Sequence, residues 1–304
     1  PNTSGTIITP ASLRSDCCSP SPRNAVRLPS GIGVHLHRNT QKAHLHRIRF
    51  EQGALEAGLE VIANRFGKKL DADSPIMNLR LPDGSRLAAI IPPVVNPRPL
   101  LTIRKFTSRK LKMGDLISQE FLTPELATKL EEAVQRGDNI LISGGTGTGK
   151  TTLVNILANS IPDEDRILII EDTAELAIRK PHVVSAEAQL DTHKSAITFD
   201  DLLKAILRHR PDRIIVGEVR GAEARTLLDA LNTGHRGMLA TIHANSANGA
   251  LRRLTTLAVR GLSSQQQHPV EAEIKAGIDA VVHLGREQGR RYVSEILACS
   301  ADRA

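Results

Sequence analysis

The sequence predicts an α/β protein, with a mostly parallel sheet covered on both faces by helices and a smaller α+β domain ahead of it. Three observations predict this. After residue 123, short apolar runs alternate with segments of helical period. One of those runs opens into a glycine-rich loop followed by a helix former run. Before residue 107, two apolar stretches flank a Pro-Asp-Gly turn. A length of 304 residues suits two domains. With 40% hydrophobic and 24% charged residues, the chain has enough apolar material for a sizeable core.

Residues 1–50 form a first segment. Its opening 30 residues are rich in Ser, Pro, Asn and Arg without apolar periodicity and read as loosely ordered. The α+β domain is expected over 51–106. A helix begins near Glu51, with Leu55, Leu59, Ile62 and Phe66 as one buried stripe. Ile76–Leu81 and Arg86–Ile91 form a hairpin around Pro82-Asp83-Gly84-Ser85, which Pro92 and Pro93 end. Leu100–Phe106 is a further strand. Residues 107–122 read as a linker.

The second domain, 123–304, opens with Thr123 as helix cap and Pro124 as first helical residue; the helix runs to about Arg136. Strands follow at Asn139–Ser143, Ile167–Ile170, Arg213–Val216 and Met238–Ile242. The helices between them end near Ser160, His209 and Asn232. Thr198 with Asp201 resembles a capping box, and Gly234 is placed as a helix stop.

The loop Gly144-Gly145-Thr146-Gly147-Thr148-Gly149-Lys150-Thr151 matches the P-loop pattern of Gly, four residues, Gly-Lys-Thr. Glycines let the backbone approach a phosphate, and the helix that follows adds its N-terminal dipole. Lys150 is placed to neutralise β- and γ-phosphates, and Thr151 to hold Mg²⁺ through its hydroxyl. Thr152 joins these residues as a nucleotide contact. ATP and Mg²⁺ are therefore the expected ligands.

Three more segments end in polar groups. Arg213–Val216 has the apolar run of a Walker-B strand, but Gly217 stands where an Asp usually precedes the Glu. Glu218 then sits at the strand's carboxyl end, suited to orient an attacking water. Ile167–Ile170 ends in Glu171 and Asp172, either of which suits water positioning or Mg²⁺ coordination. The run from Thr233 to Ser246 brings a strand to Thr241 and His243, where a polar group can sense a γ-phosphate.

In this order and spacing, the four segments resemble the Walker A, Asp box, Walker B and His box of the type II/type IV secretion-system ATPases. Leu81-Pro82-Asp83-Gly84-Ser85-Arg86, Ile91-Pro92-Pro93 and Leu101–Phe106 resemble the same family, most like its conjugal-transfer and tight-adherence pilus branches. The resemblance runs from about Leu70 to Leu297. It implies a RecA-like P-loop NTPase domain and ATP hydrolysis coupled to macromolecular transport. It makes Glu171 and Glu218 an acidic pair for water and metal, with Glu171 and Thr151 at Mg²⁺. His243 links nucleotide state to the sheet. Arg86 and Arg104 fall where the family places basic residues that reach a nucleotide. It further implies a homo-hexamer, working on inner-membrane components of a secretion or pilus machine.

Charge adds a partner class. Residues 1–122 hold 18 Lys and Arg against 9 Asp and Glu, whereas the remainder holds 22 against 24. The basic excess of the N-terminal part suits an anionic membrane surface or an acidic partner. Five Phe, one Tyr and no Trp give little aromatic surface for stacking bases, so nucleic acid is not expected as a direct ligand. No apolar run reaches the length of a membrane span and no secretory signal is visible. Cys17, Cys18 and Cys299 are odd in number, so a cytoplasmic location is expected, with peripheral contact to the inner membrane. His35, His37, His44 and His46 form two His-x-His pairs, but no Cys or acid accompanies them at ligand spacing, and a surface strand or loop is the simpler reading. Two rivals remain: a RecA-like DNA translocase or helicase, suggested by the basic excess, and a nucleotide-gated non-enzymatic assembly scaffold, suggested by Gly217.

Overall fold

The computed structural model describes residues 34–37, 43–44, 53–96, 98–104, 111–172, 174–188, 197–260 and 264–299. The chain divides into two compact units, Pro1–Ser108 and Arg109–Ala304.

The first unit is a five-stranded sheet with one helix on it. Its elements are β1 (Val34–His37), β2 (Ala43–His44), α1 (Ala54–Arg65), β3 (Ile76–Arg80), β4 (Arg86–Ile90) and β5 (Leu100–Arg104). The strand order is β2-β1-β5-β4-β3. β3 and β4 form the expected hairpin, and its turn is held by the Asp83 carboxylate, which accepts from the Ser85 amide at 2.9 Å. Alternation in the strands sends Met77, Leu79, Leu87, Ala89 and Leu101 to one face, where they pack with Leu55, Leu59 and Ala63 of α1. The buried stripe of α1 therefore ends at Ala63. Phe66 lies beyond the helix at its C-cap and is 37% exposed, contrary to the sequence expectation. Residues 105 and 106 of the expected strand lie outside the described residues, as do the side chains of His35, His37 and His44 and the whole of His46.

The second unit begins with α2 (Met113–Ser118) and α3 (Pro124–Arg136). Within the stretch that reads as linker, then, residues 113–118 are helical, and Leu116, Phe121 and Leu122 are buried. Thr123 caps α3, its hydroxyl accepting from the Leu126 amide. Next come β6 (Ile140–Gly144), α4 (Lys150–Leu157), β7 (Ile167–Glu171), β8 (Val183–Glu187), α5 (Phe199–Ile206), β9 (Arg213–Val219), α6 (Glu223–Asn232), β10 (Leu239–Ile242), α7 (Ala247–Ala258), α8 (Ser264–Gly277), β11 (Ala280–Glu287) and β12 (Arg290–Ala298). The capping box of Thr198 and Asp201 is formed.

These strands make one sheet of order β12-β11-β6-β10-β9-β7-β8, parallel except for β12, which is antiparallel to β11. Both faces are buried, which is why the inner strands read as unbroken apolar runs rather than alternating ones. Leu141, Leu168, Ile170, Ile214, Val216 and Ala240 face a core built with α5 to α8. Ile140, Ile142, Ile167, Ile169, Ile215 and Leu239 face the other core, built with α2 to α4. The α/β fold with a parallel sheet between helix layers is the expected one. Among the described residues, no helix is long and apolar enough to cross a membrane.

Candidate nucleotide-binding site

In a parallel sheet the carboxyl ends of the strands open onto loops that hold ligands. Here those ends deliver Gly144 of β6, Glu171 of β7, Glu218 of β9 and, just after β10, His243. β6 is an inner strand, with β11 on one side and the central β10 on the other. Its loop, Gly145 to Gly149, leads directly into α4. Gly147 and Gly149 have φ of 72° and 105°, a backbone that side chains other than glycine rarely tolerate. Thr148 is buried and its hydroxyl donates to the Gly145 carbonyl at 3.0 Å, closing the loop on itself. Gly145 and Thr146 are exposed at the tip. From beneath, the loop is braced by β11. A side chain at Gly144 would come within 2.8 Å of the Leu284 carbonyl, and the preceding Ser143 hydroxyl lies 2.8 Å from His283 Nδ1.

Lys150 is buried. Its ammonium donates to the carbonyls of Gly144 and Gly145, at 2.9 Å each, and so spans the loop. It also faces His243 Nδ1 at 3.5 Å, the long limit of a hydrogen bond. An ammonium can only donate, so this contact makes Nδ1 the acceptor and leaves the ring proton on Nε2. Nε2 in turn lies 3.3 Å from Glu218 Oε1. The other oxygen of Glu218 accepts from Arg220 at 2.8 Å, and Arg220 reaches Asp172 with its second nitrogen, also at 2.8 Å. One chain of polar contacts thus runs Lys150–His243–Glu218–Arg220–Asp172 across the ends of three neighbouring strands.

The charges tune one another. Burial works against an ionised Glu218, but the Arg220 hydrogen bond and the charges of Arg220, His243 and Lys150 outweigh it and hold its carboxyl below its ordinary pKa. Burial lowers Lys150, opposed by Glu218 and aided by Arg220. His243 is lowered by burial and by Lys150, which favours the neutral ring.

Glu171 behaves differently from Glu218. It is 3% exposed, and Oε1 accepts the amides of Glu175 and Leu176 at 2.8 and 3.0 Å. It thereby fixes the turn that carries Glu175, whose carboxylate accepts from the Thr151 hydroxyl at 3.3 Å. Sequence reasoning passed over Glu175 and Arg220. Glu175 follows Glu171 by four residues in the same acidic segment, and Arg220 directly follows the strand that carries Glu218, so proximity in sequence is the available signal. Gly217 is explained by packing. A Cβ there would lie 2.9 Å from Glu171 Cγ and 3.3 Å from the Ile170 carbonyl.

The Glu171, Glu175, Thr151 and Glu218 side chains offer only oxygen donors, which fits a hard cation such as Mg²⁺. A Mg²⁺ that keeps waters and shares phosphate oxygens needs few protein ligands.

Arg86 and Arg104 belong to the first unit. They are register partners across β4 and β5, and Arg80 of β3 is the partner of Arg86, so three arginines form a row across the face opposite α1. Arg80 had no place in the sequence reading.

With this geometry in view, similarity to known proteins becomes decisive. The family model for type II/IV secretion system proteins matches residues 28–298. The chain belongs to the type II/IV secretion system protein family. A conjugal transfer protein TrbB of Rhizobium radiobacter is 39% identical over 249 residues, covering 80% of this chain and 74% of that protein. A type IV secretion system protein VirB11 of Bartonella henselae is 31% identical over 274 residues, covering 78% and 77%. Among solved structures, the VirB11 ATPase of the Brucella suis type IV secretion system, in complex with sulphate, is 27% identical with a TM-score of 0.53, covering 80% of each chain. As a member of this family, the chain has the RecA-like ATPase fold preceded by an N-terminal domain.

Proposed function

We propose that this protein is an ATP-hydrolysing motor of a secretion, conjugation or pilus-assembly machine, acting as a homo-hexameric ring with nucleotide at its subunit boundaries. The observation that carries the reading is the meeting of Lys150, His243 and Glu218 beside a P-loop at the carboxyl end of the sheet, in a chain of the secretion family.

In this reading the β- and γ-phosphates lie in the loop from Gly144 to Thr151, with Thr152 in the first turn of α4. Lys150 gives up its contacts to Gly144 and Gly145 and turns to the phosphates. Glu218, already ionised, accepts a proton from water as the water oxygen bonds to the γ-phosphorus. The γ-phosphate leaves ADP with the breaking of its bond to the bridging oxygen. Bound Mg²⁺ supplies neutralisation of phosphate charge, held by Thr151 with Glu175 and Glu171 nearby. His243, poised between Lys150 and Glu218, reports which partner Lys150 has taken and passes that state into β10. Arg86 and Arg104 add positive charge from the N-terminal domain, 51–106 in this reading; of the expected 107–122 linker, only the part ahead of α2 is left to act as a hinge as nucleotide binds and leaves, because α2, Phe121 and Leu122 pack into the second unit. The ring works in the cytoplasm on inner-membrane components, and the basic N-terminal part faces anionic lipid or acidic partners.

Phosphate release and nucleotide binding, measured together, test this reading. Wild-type protein is expected to release phosphate from ATP with Mg²⁺, and Lys150→Ala to lose both binding and release. Wild-type protein that binds ATP without releasing phosphate would favour the scaffold. Strong stimulation by DNA would favour the translocase.

A further inference from the structure

Arg220 has no assigned part in the chemistry, yet its two guanidinium nitrogens join Glu218 at the end of β9 to Asp172 at the end of β7. Three geometric facts bear on what it does. Glu218 is held from both sides, by Arg220 on one oxygen and His243 on the other, and its side chain is only 19% exposed. Arg220 is 60% exposed, so it is not a packing element of the core. Its grip on two carboxylates fixes the planar guanidinium, whereas one contact alone would leave a long side chain free to swing.

We propose that Arg220, anchored by Asp172, is a positioning residue that sets the orientation of the Glu218 carboxylate for its role in hydrolysis. The Glu218 carboxylate is oriented by its partners, Arg220 on one oxygen and His243 beside the other. Besides Arg220, four charged or titratable groups lie around Glu218 and its partner: Lys150 from α4, His243 from the segment after β10, and Asp172 and Glu175 from the segment after β7. Among all these groups, only Arg220 bonds Glu218 at normal hydrogen-bond length. Asp172 thus acts on Glu218 through Arg220.

The proposal rests on the hydrolytic reading of Glu218, and its test keeps the two apart. ATP turnover and the affinity for a non-hydrolysable ATP analogue are measured for the full chain, for Arg220→Ala, Arg220→Lys and Glu218→Gln, and for the Arg220→Ala, Glu218→Gln double variant. Arg220→Ala is expected to lower kcat about 10- to 100-fold with KM and analogue affinity nearly unchanged. Arg220→Lys is expected to recover part of the loss. In the Glu218→Gln background the Arg220 change is expected to do nothing further, because both act on one step. Wild-type kcat in Arg220→Ala, a loss carried by KM, or an equal further loss in the double variant overturns the positioning role. If Glu218→Gln itself retains full turnover, the hydrolytic reading fails instead. A crystal structure of Arg220→Ala decides the geometry independently of turnover: the carboxylate is expected to leave its place beside His243, and an unmoved carboxylate overturns the proposal.

Discussion

Gly217 shows how a single residue can mislead at the sequence level. An absent Walker-B aspartate reads as lost chemistry, and that reading supports a non-enzymatic scaffold. In the fold the position has no room: a Cβ would press on Glu171, which is itself held by two backbone amides. Gly217→Ala is therefore expected to destabilise the protein by about 1–3 kcal/mol, seen as a lower midpoint in chemical denaturation. An unchanged midpoint would contradict the close packing. The charges around Glu218 give a second residue-scale expectation. Its folded pKa is lowered, so its ionised form persists as pH falls, and kcat/KM should decline only below the usual carboxylate range. His243 is lowered too, so its ring is neutral at neutral pH and the rate should be flat there. A rate that falls on the acid side of neutrality would place a titrating histidine in control instead. Lys150, Thr151, Glu218 and His243 were legible because each follows or ends a strand in a recognisable pattern. Glu175 and Arg220 owe their importance to contacts across loops, which no period encodes.

The elements divide by the same logic. β6, β7, β9 and β10 stand out in sequence because both of their faces are buried and each carries an unbroken apolar run, Ile140–Ile142, Ile167–Ile170, Ile214–Val216 and Leu239–Ala240. β8 and β12 are edge strands with mixed polar patterns, and α8 carries an internal Pro269, so none of them stands out as a strand or helix by period. The opposite end of the sheet holds a purely structural device. Arg213, at the start of β9, pairs with Asp165 and donates to the carbonyls of Val134 and Gln135 at the end of α3. A cleft of about 420 Å³ opens beside it, lined by Arg136, Asp165 and Arg236 among others. This cleft lies at the amino ends of the strands, away from the phosphate loop, and Arg213 in it has its partners satisfied. Arg213→Ala should cost about 2–4 kcal/mol of stability through the stranded Asp165 and the two carbonyls. ATP turnover per folded molecule should stay near wild type. A selective loss of turnover without loss of stability would show that this end of the sheet does more than hold α3 in place.

On the scale of the whole molecule, the α/β class, the P-loop and the secretion-family membership all follow from the order of four short segments along the chain. The arginine row of the first unit follows only from strand register, which brings Arg80, Arg86 and Arg104 level although 24 residues separate the first from the last. In the proposed function, ATP hydrolysis drives the protein's action and Glu218 takes the proton from water. The measurement that tests this most directly is phosphate release by Glu218→Gln beside a titration of its ATP binding. Binding is expected to be retained and turnover to fall by at least about 100-fold. Turnover at the wild-type rate in a variant that binds ATP normally would contradict it.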